Sequence, residues 1–224
     1  MWKMLLRSAA LVLGMAATTS CTYRGGDIGD PIVRKFHWFS YVEGEDIRAT
    51  CAPDTPDRYR LVYNGLYHEQ LRLYDLDALR RLLVSRVVGD AHLKDVDPKN
   101  LTAPWQAEET RVPLDEAAFA ALVDRFAASG MFAPPPVGLE LPAQSFFWTA
   151  AWCRDGRYGF TAWKYPSPAF AAITFAEPLF ALDGSAVAVN RAGPVPFDPQ
   201  FADRARRGEV TDFTLKVGRS GLVR

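Results

Sequence analysis

The chain has little of what most catalytic and metal sites are built from. It carries three cysteines and three histidines in 224 residues. No Cys-x-x-Cys and no His-x-x-x-His occurs, which removes the usual thiol-redox motif and the local zinc-ligand spacings. Gly-x-Ser-x-Gly, the P-loop pattern and Gly-x-Gly-x-x-Gly are missing too, so neither a nucleophile elbow nor a phosphate-cradling loop can be read. Charge of one sign is not in excess: 26 basic residues stand against 26 acidic ones, with no basic stripe. Nucleic acid is therefore not an expected partner. Long hydrophobic runs are absent as well. The most apolar stretch, Ser8 to Ala17, is too short to span a bilayer as a helix.

That short run has a meaning of its own. Residues 1–21 read MWKMLLRSAALVLGMAATTSC. Lys3 and Arg7 form a positive start, Ser8 to Ala17 an apolar middle, and the small residues Thr18, Thr19 and Ser20 run into Cys21. This resembles a bacterial lipoprotein signal peptide with its lipobox, over these twenty-one residues only. Thr18 stands where a lipobox usually has Leu, which keeps plain secretion as the alternative. The resemblance implies removal of residues 1–20, lipidation of Cys21 and a membrane partner reached through the acyl chains. Thr22, rather than Asp, after the cysteine implies the outer membrane of a bacterial envelope. Cleavage would remove Lys3 and Arg7 and leave a net charge of −2. Residues 21–34 hold Gly25, Gly26 and Gly29 among polar neighbours and read as a flexible tether. Residues 35–224 are then a single globular domain.

With Cys21 lipidated, two cysteines remain. An even pair in an oxidising compartment predicts a Cys51–Cys153 disulfide, with two buried free thiols as the alternative. The bond would place a strand ending at Cys51 beside the strand ending at Arg154.

The domain is organised around Ser145 to Tyr165. Two aromatic, β-favouring runs flank Asp155-Gly156, a preferred pair for a two-residue type I′ turn. That turn sets Arg154 opposite Arg157, Cys153 opposite Tyr158, Trp152 opposite Gly159 and Trp148 opposite Trp163. Alternation then puts Phe146, Trp148, Trp152, Trp163 and Tyr165 on one face, and Phe147, Cys153, Tyr158 and Phe160 on the other. Neither face suits water, which predicts a hairpin in the middle of a sheet covered on both sides. Trp148, Trp152, Trp163 and Tyr165 are the candidate ligand-binding aromatics, against a purely structural reading of them as core.

Elsewhere, Lys35 to Val42 and Glu45 to Cys51 read as short strands around Glu43-Gly44-Glu45. Asn64-Gly65 predicts a second hairpin, with Arg60 opposite Glu69 and Asp57 opposite Arg72. Asp77 to Val88 admits two readings, helical spacing at Leu79, Leu82 and Leu83 and a strand over Leu83 to Val88, of which a strand that continues the meander is preferred. Gly89 to Thr110 reads as loop with Trp105 as its anchor. Leu114 to Met131 is a helix: Asp115 caps it, Phe119, Leu122, Val123 and Phe126 form its apolar stripe, and Gly130 ends it. Phe170, Phe175, Leu179 and Phe180 mark a buried segment of two short helical pieces. Asp198-Pro199 starts a helix that stops at Gly208, and Phe213, Leu215 and Val217 alternate as a closing strand. The sum is an α+β fold, an antiparallel β-sheet meander of hairpins with a few helices packed on it.

No site with a readable reaction emerges. His68 and Glu69 are strand neighbours that point to opposite faces. Asp95 to Asn100 opens like an EF-hand loop but has Lys99 at the fifth position and no glycine at the sixth, so it reads as a solvated acidic loop. No cofactor or metal is expected. The favoured expectation is a non-enzymatic, membrane-anchored envelope lipoprotein that binds a protein partner or an apolar ligand. The alternative is an envelope hydrolase whose residues converge only in three dimensions.

Overall fold

The Asp155-Gly156 turn forms as the sequence predicts. Asp155 (φ 50°) and Gly156 (φ 71°) both take the left-handed conformation that a type I′ turn requires. Strands β6 (Phe146–Arg154) and β7 (Arg157–Lys164) pair in the expected register, from Trp148 opposite Trp163 to Arg154 opposite Arg157. Gly159 is needed where it stands: an added Cβ would fall 2.1 Å from the Trp152 indole lying across it. The computed structural model describes residues 22–89 and 105–223.

The main sheet is antiparallel and six-stranded, in the order β4-β3-β2-β1-β6-β7, and the fold is α+β. Its other strands are β1 (Arg58–Gly65), β2 (Leu71–Asp77), β3 (Leu82–Val88) and β4 (Glu108–Pro113). The aromatic hairpin thus sits at one end of the sheet, not in the middle, with β7 as an edge. Both of its faces are covered nonetheless. Trp148 and Trp163 belong to one buried cluster, Phe147 and Phe160 to the other.

Three readings are corrected. The Asn64-Gly65 hairpin exists, but β1 runs through Gly65 and the turn spans Leu66 to Gln70. Asn64 is buried, and its amide donates to the carbonyls of Ala143 (2.9 Å) and Ser145 (2.6 Å), so it serves the sheet's surroundings rather than a tight turn. Arg60 therefore faces Asp75, and Arg72 faces Tyr63. Second, residues 35–42 and 45–50 are helical, not strands: α1 (Pro31–Glu43) and α2 (Glu45–Thr50) meet at left-handed Gly44 (φ 72°), and Cys51 is the extended residue after α2. Aromatics on alternate positions also satisfy a helical stripe, and Asp30-Pro31 decides between them. The Asp30 carboxylate accepts from Ile32 and Val33, and Pro31 fits the first turn. Third, residues 22–34 are not a tether, because Tyr23 and Ile28 are buried and α1 begins at Pro31.

The remaining helices follow their caps. Helix α3 (Glu116–Ala128) starts where Asp115 accepts from Ala118 (2.7 Å) and ends before left-handed Gly130. Helices α4 (Pro168–Ala171), α5 (Ala176–Leu182) and α6 (Pro199–Arg206) come next. Strand β8 (Thr214–Lys216) pairs with β5 (Glu140–Pro142) in a separate two-stranded sheet. Strand β4 lies partly in the stretch read as loop, and the Asp95–Asn100 loop lies outside the described residues. Helices α1 and α2 cover one face of the main sheet, α3 and α5 the other.

Cys51 and Cys153 form a disulfide, with Cα atoms 5.6 Å apart. Its first cysteine follows helix α2, so it ties a helix end, not a neighbouring strand, to β6.

Beneath α1 and α2, Arg60 is buried and fully engaged. Its guanidinium donates twice to Asp46 on α2 (2.7 and 3.1 Å), once to Asp75 on β2 (2.7 Å) and once to the Tyr41 carbonyl (3.1 Å). It lies 3.8 Å from the Tyr41 ring centroid, a cation–π contact. Arg86 adds a second cation beside Asp75 (3.1 Å), and the Tyr41 hydroxyl donates to the same carboxylate (2.8 Å). Burial alone would raise the Asp75 pKa, but the two guanidiniums and the hydrogen bonds hold it below the usual carboxylate range.

Two outcomes follow. The disulfide closes a loop with a sequence separation of 102, worth about 4–5 kcal/mol on the chain-entropy model. Cys51→Ser and Cys153→Ser should each lower the unfolding free energy by a similar amount, and the double variant no further, in denaturant titrations. A depressed carboxylate pKa stabilises the fold above its unfolded value, about 3.9, and loses that contribution as pH falls through the folded value. Stability of the Asp75→Asn variant should thus fall less steeply below pH ~4 than that of the parent, and start lower at neutral pH.

Candidate functional site

The other face of the sheet carries the candidate site. Trp148, near the start of β6, lies beside Tyr63 of β1, its partner in register (ring centroids 4.9 Å). Phe175 meets the indole edge-on at 5.1 Å and Phe180 of α5 approaches at 5.6 Å. After β7 the chain leaves the sheet through Tyr165 and a cis Tyr165-Pro166 bond, and Ser167 caps the short α4. Helix α5 packs Leu179 and Phe180 over the sheet, so Trp148 and Tyr63 are buried at 1% exposure. Between α4, α5 and residues 191–192 a cleft of about 800 Å³ stays open, with Trp148 and Tyr63 at its base. Tyr63, Trp148, Tyr165, Phe170, Ile173 and Phe180 form its apolar walls, and Glu177 and Arg191 stand at its rim. Size and lining are those of a site for a small apolar or aromatic group.

The far wall is Arg191 and Ala192. The stretch leading to them, residues 183–190, has no regular secondary structure and is held by side chains from β1, β2, β4 and the β1–β2 turn. Arg72, fully buried, pairs with Asp183 and donates to the Val187 carbonyl. The Tyr74 hydroxyl also donates to Asp183 (3.1 Å), and Thr110 donates to the Asp183 carbonyl. Gln70 donates to the Ala188 carbonyl (2.8 Å) and accepts from the Asn190 amide N–H (3.0 Å). The Tyr63 hydroxyl donates to the Asn190 carbonyl (2.7 Å), and the Asn190 side chain returns to the Gly65 carbonyl (2.8 Å). These bonds fix the conformation of the segment although it forms no helix or strand.

Electrostatically the cleft is quiet. Burial pushes the Tyr63 and Tyr74 hydroxyls above their ordinary pKa, which keeps both protonated as donors. At the rim, Arg191 pairs with Glu177 through both guanidinium nitrogens, and this hydrogen bonding lowers the Glu177 pKa. Both side chains are largely exposed, so water and salt screen the pair. The arrangement can exclude water from an apolar group and hold a polar end at the rim. It offers no activated nucleophile.

Two of the four sequence-predicted aromatics, Trp148 and Tyr165, line the cleft. Trp152 and Trp163 do not. Their indole N–H groups donate to the carbonyls of Met131 (3.2 Å) and Ser129 (3.0 Å), fixing the C-terminal end of α3 to the hairpin. Tyr63, Phe170, Phe180 and Arg191 went unassigned in the sequence. The aromatic density of 170–180 signalled burial, but nothing showed which rings would stop short of closing on the sheet. His68 lies in the exposed β1–β2 turn against the Thr211 carbonyl and borders a second, more polar cleft with Glu69, Phe197 and Phe201. Among the described residues, no group of three or more His, Cys, Asp or Glu side chains stands close enough to hold a metal. Comparison with protein-family models, curated proteins and solved structures finds no match to this chain.

The hold on the far wall can be measured. Asp183→Ala leaves Arg72 buried without a counter-charge and should destabilise the protein by about 3–5 kcal/mol. Arg72→Met with Asp183→Leu should recover most of that loss, because it removes both charges; chemical denaturation of the three variants checks it.

Proposed function

We propose that the protein is a membrane-anchored envelope lipoprotein whose globular part binds an apolar ligand in the cleft over Trp148. The cleft carries this reading. It is large enough for a small hydrophobic molecule or an acyl segment, its walls are aromatic, and its only charged residues are the paired Arg191 and Glu177 at the rim. The anchoring half rests on Lys3, Arg7, the short apolar run and Ser20-Cys21. Among the carboxylates whose pKa is displaced, Asp75, Glu177 and Glu209 all move downward. Of these, Glu177 borders the cleft, where it is held as the partner of Arg191.

Ala192 lines the cleft in the irregular wall, where a larger side chain fills space without entering a helix or strand. Titration with an environment-sensitive apolar fluorophore such as N-phenylnaphthylamine should be saturable. Ala192→Trp should weaken it at least tenfold while leaving the thermal unfolding midpoint unchanged. Saturable binding of equal strength in that variant moves the site elsewhere. Separately, Cys21→Ala should shift the chain from the membrane to the soluble fraction, and unchanged fractionation with unchanged processed mass contradicts the anchor.

A further inference from the structure

Helix α1 has apolar residues on two sides. Trp38, Tyr41 and Val42 face the sheet, and on the outer side Ile32, Phe36 and Phe39 are 58%, 59% and 48% exposed. Spacing of four and three residues puts these three in one stripe along the helix. Phe39 meets Phe213 edge-on at 5.2 Å, and Phe213 meets Tyr67 at 4.9 Å, so the stripe continues into a wider aromatic surface. Lys35 is the one charged residue exposed on it. Arg34 is turned inward, donating to the carbonyls of Gly29 (2.9 Å) and Trp105 (2.9 Å). From Pro31 to Val42 the helix contains no carboxylate, and Glu43 at its end is buried beside Arg48. Two aromatic rings and an isoleucine held in water along one helix face mark an interaction surface.

The position of the stripe identifies what covers it. The Tyr23 backbone N–H donates to Ser40 Oγ of α1 (2.7 Å), and the Tyr23 ring packs on Tyr41 (5.0 Å) and His37 (6.3 Å). The described chain therefore starts against the Ser40–Tyr41 side of this same helix, around the helix from the stripe. Cys21 lies two residues earlier, within about 8 Å of Tyr23 by chain geometry, and the helix is only about 10–12 Å across. We infer that α1 lies on the membrane that holds Cys21, with Ile32, Phe36 and Phe39 in the headgroup–acyl boundary and Lys35 among anionic headgroups. This rests on the anchored reading above and adds an orientation to it. An amphipathic helix in the interface plane buries its apolar face by about 5–10 Å, which suits a single row of rings. A second copy fits less well. A twofold contact along the stripe would bring the Lys35 of both copies onto one face, with carboxylates only at its margins, Asp30 at the helix cap and Asp212 beside Phe213.

The test uses the full chain, Cys21 intact, purified and reconstituted into vesicles of phosphatidylethanolamine and phosphatidylglycerol. An environment-sensitive nitrobenzoxadiazole label is attached at Phe36→Cys or, on α3 across the sheet, at exposed Ala121→Cys. Co-flotation with vesicles confirms attachment before emission is read. The label at position 36 should shift to the blue and lose most of its iodide quenching on vesicles, gaining quenching by brominated lipid, whereas the label at 121 should stay water-like. A water-like label at 36 on a chain that floats with vesicles overturns the orientation and leaves the anchor standing. Failure to float overturns the anchor, and the orientation with it. Protection of position 36 without vesicles assigns the stripe to a second copy or to another segment of the chain and also overturns the inference. Ile32→Cys serves as the second labelled position should Phe36→Cys bind dye poorly.

Discussion

Each face of the six-stranded sheet carries one arginine that the covering layer removes from water, Arg60 on one side and Arg72 on the other. A guanidinium cannot shed its charge, so each requires acceptors brought by whatever covers it. Arg60 takes Asp46 from α2, and Arg72 takes Asp183 from the end of α5. Hydrophobic burial alone would accept many placements of small helices on a flat aromatic sheet. Two buried cations, each satisfied by one carboxylate from outside the sheet, leave far fewer. Asp75 and Gln70, on and beside β2, complete the two sets of acceptors and keep the guanidiniums aimed.

The same constraint shapes the cleft. Residues 183–192 have no ladder of their own, and Arg72, Tyr63, Tyr74 and Gln70 hold them to the sheet. Arg191 and Ala192, which line the cleft, follow directly on that tied stretch. On the proposed reading the sheet also divides labour: α1 and α2 face the membrane, and the cleft opens on the opposite side.

The parts of this fold that sequence revealed were those decided by neighbours along the chain. Asp155-Gly156 set a register of eight residue pairs, Asp115 and Asp198-Pro199 started their helices, and the two lone cysteines found each other. What failed was decided by partners far away. The Arg60–Glu69 and Asp57–Arg72 pairs looked persuasive because opposite charges fell in step, yet both arginines point into covered faces and answer to Asp46 and Asp183. Lys35 to Val42 fits period two and period 3.6 alike, and only the weight given to Asp30-Pro31 separates them. Of the site, Trp148 and Tyr165 were legible as aromatics on a covered face. The open space above them was not, because it depends on where the 183–192 loop is held.

Hydrogen exchange by mass spectrometry on Asp46→Asn and Asp183→Asn tests the latch account most directly. If each buried arginine holds its own layer, Asp46→Asn speeds exchange across residues 31–50 and leaves 168–192 at parental rates, while Asp183→Asn does the reverse, with β1 and β2 protected in both. Uniform acceleration of both layers in either variant, or no change in the layer that lost its carboxylate, would contradict it.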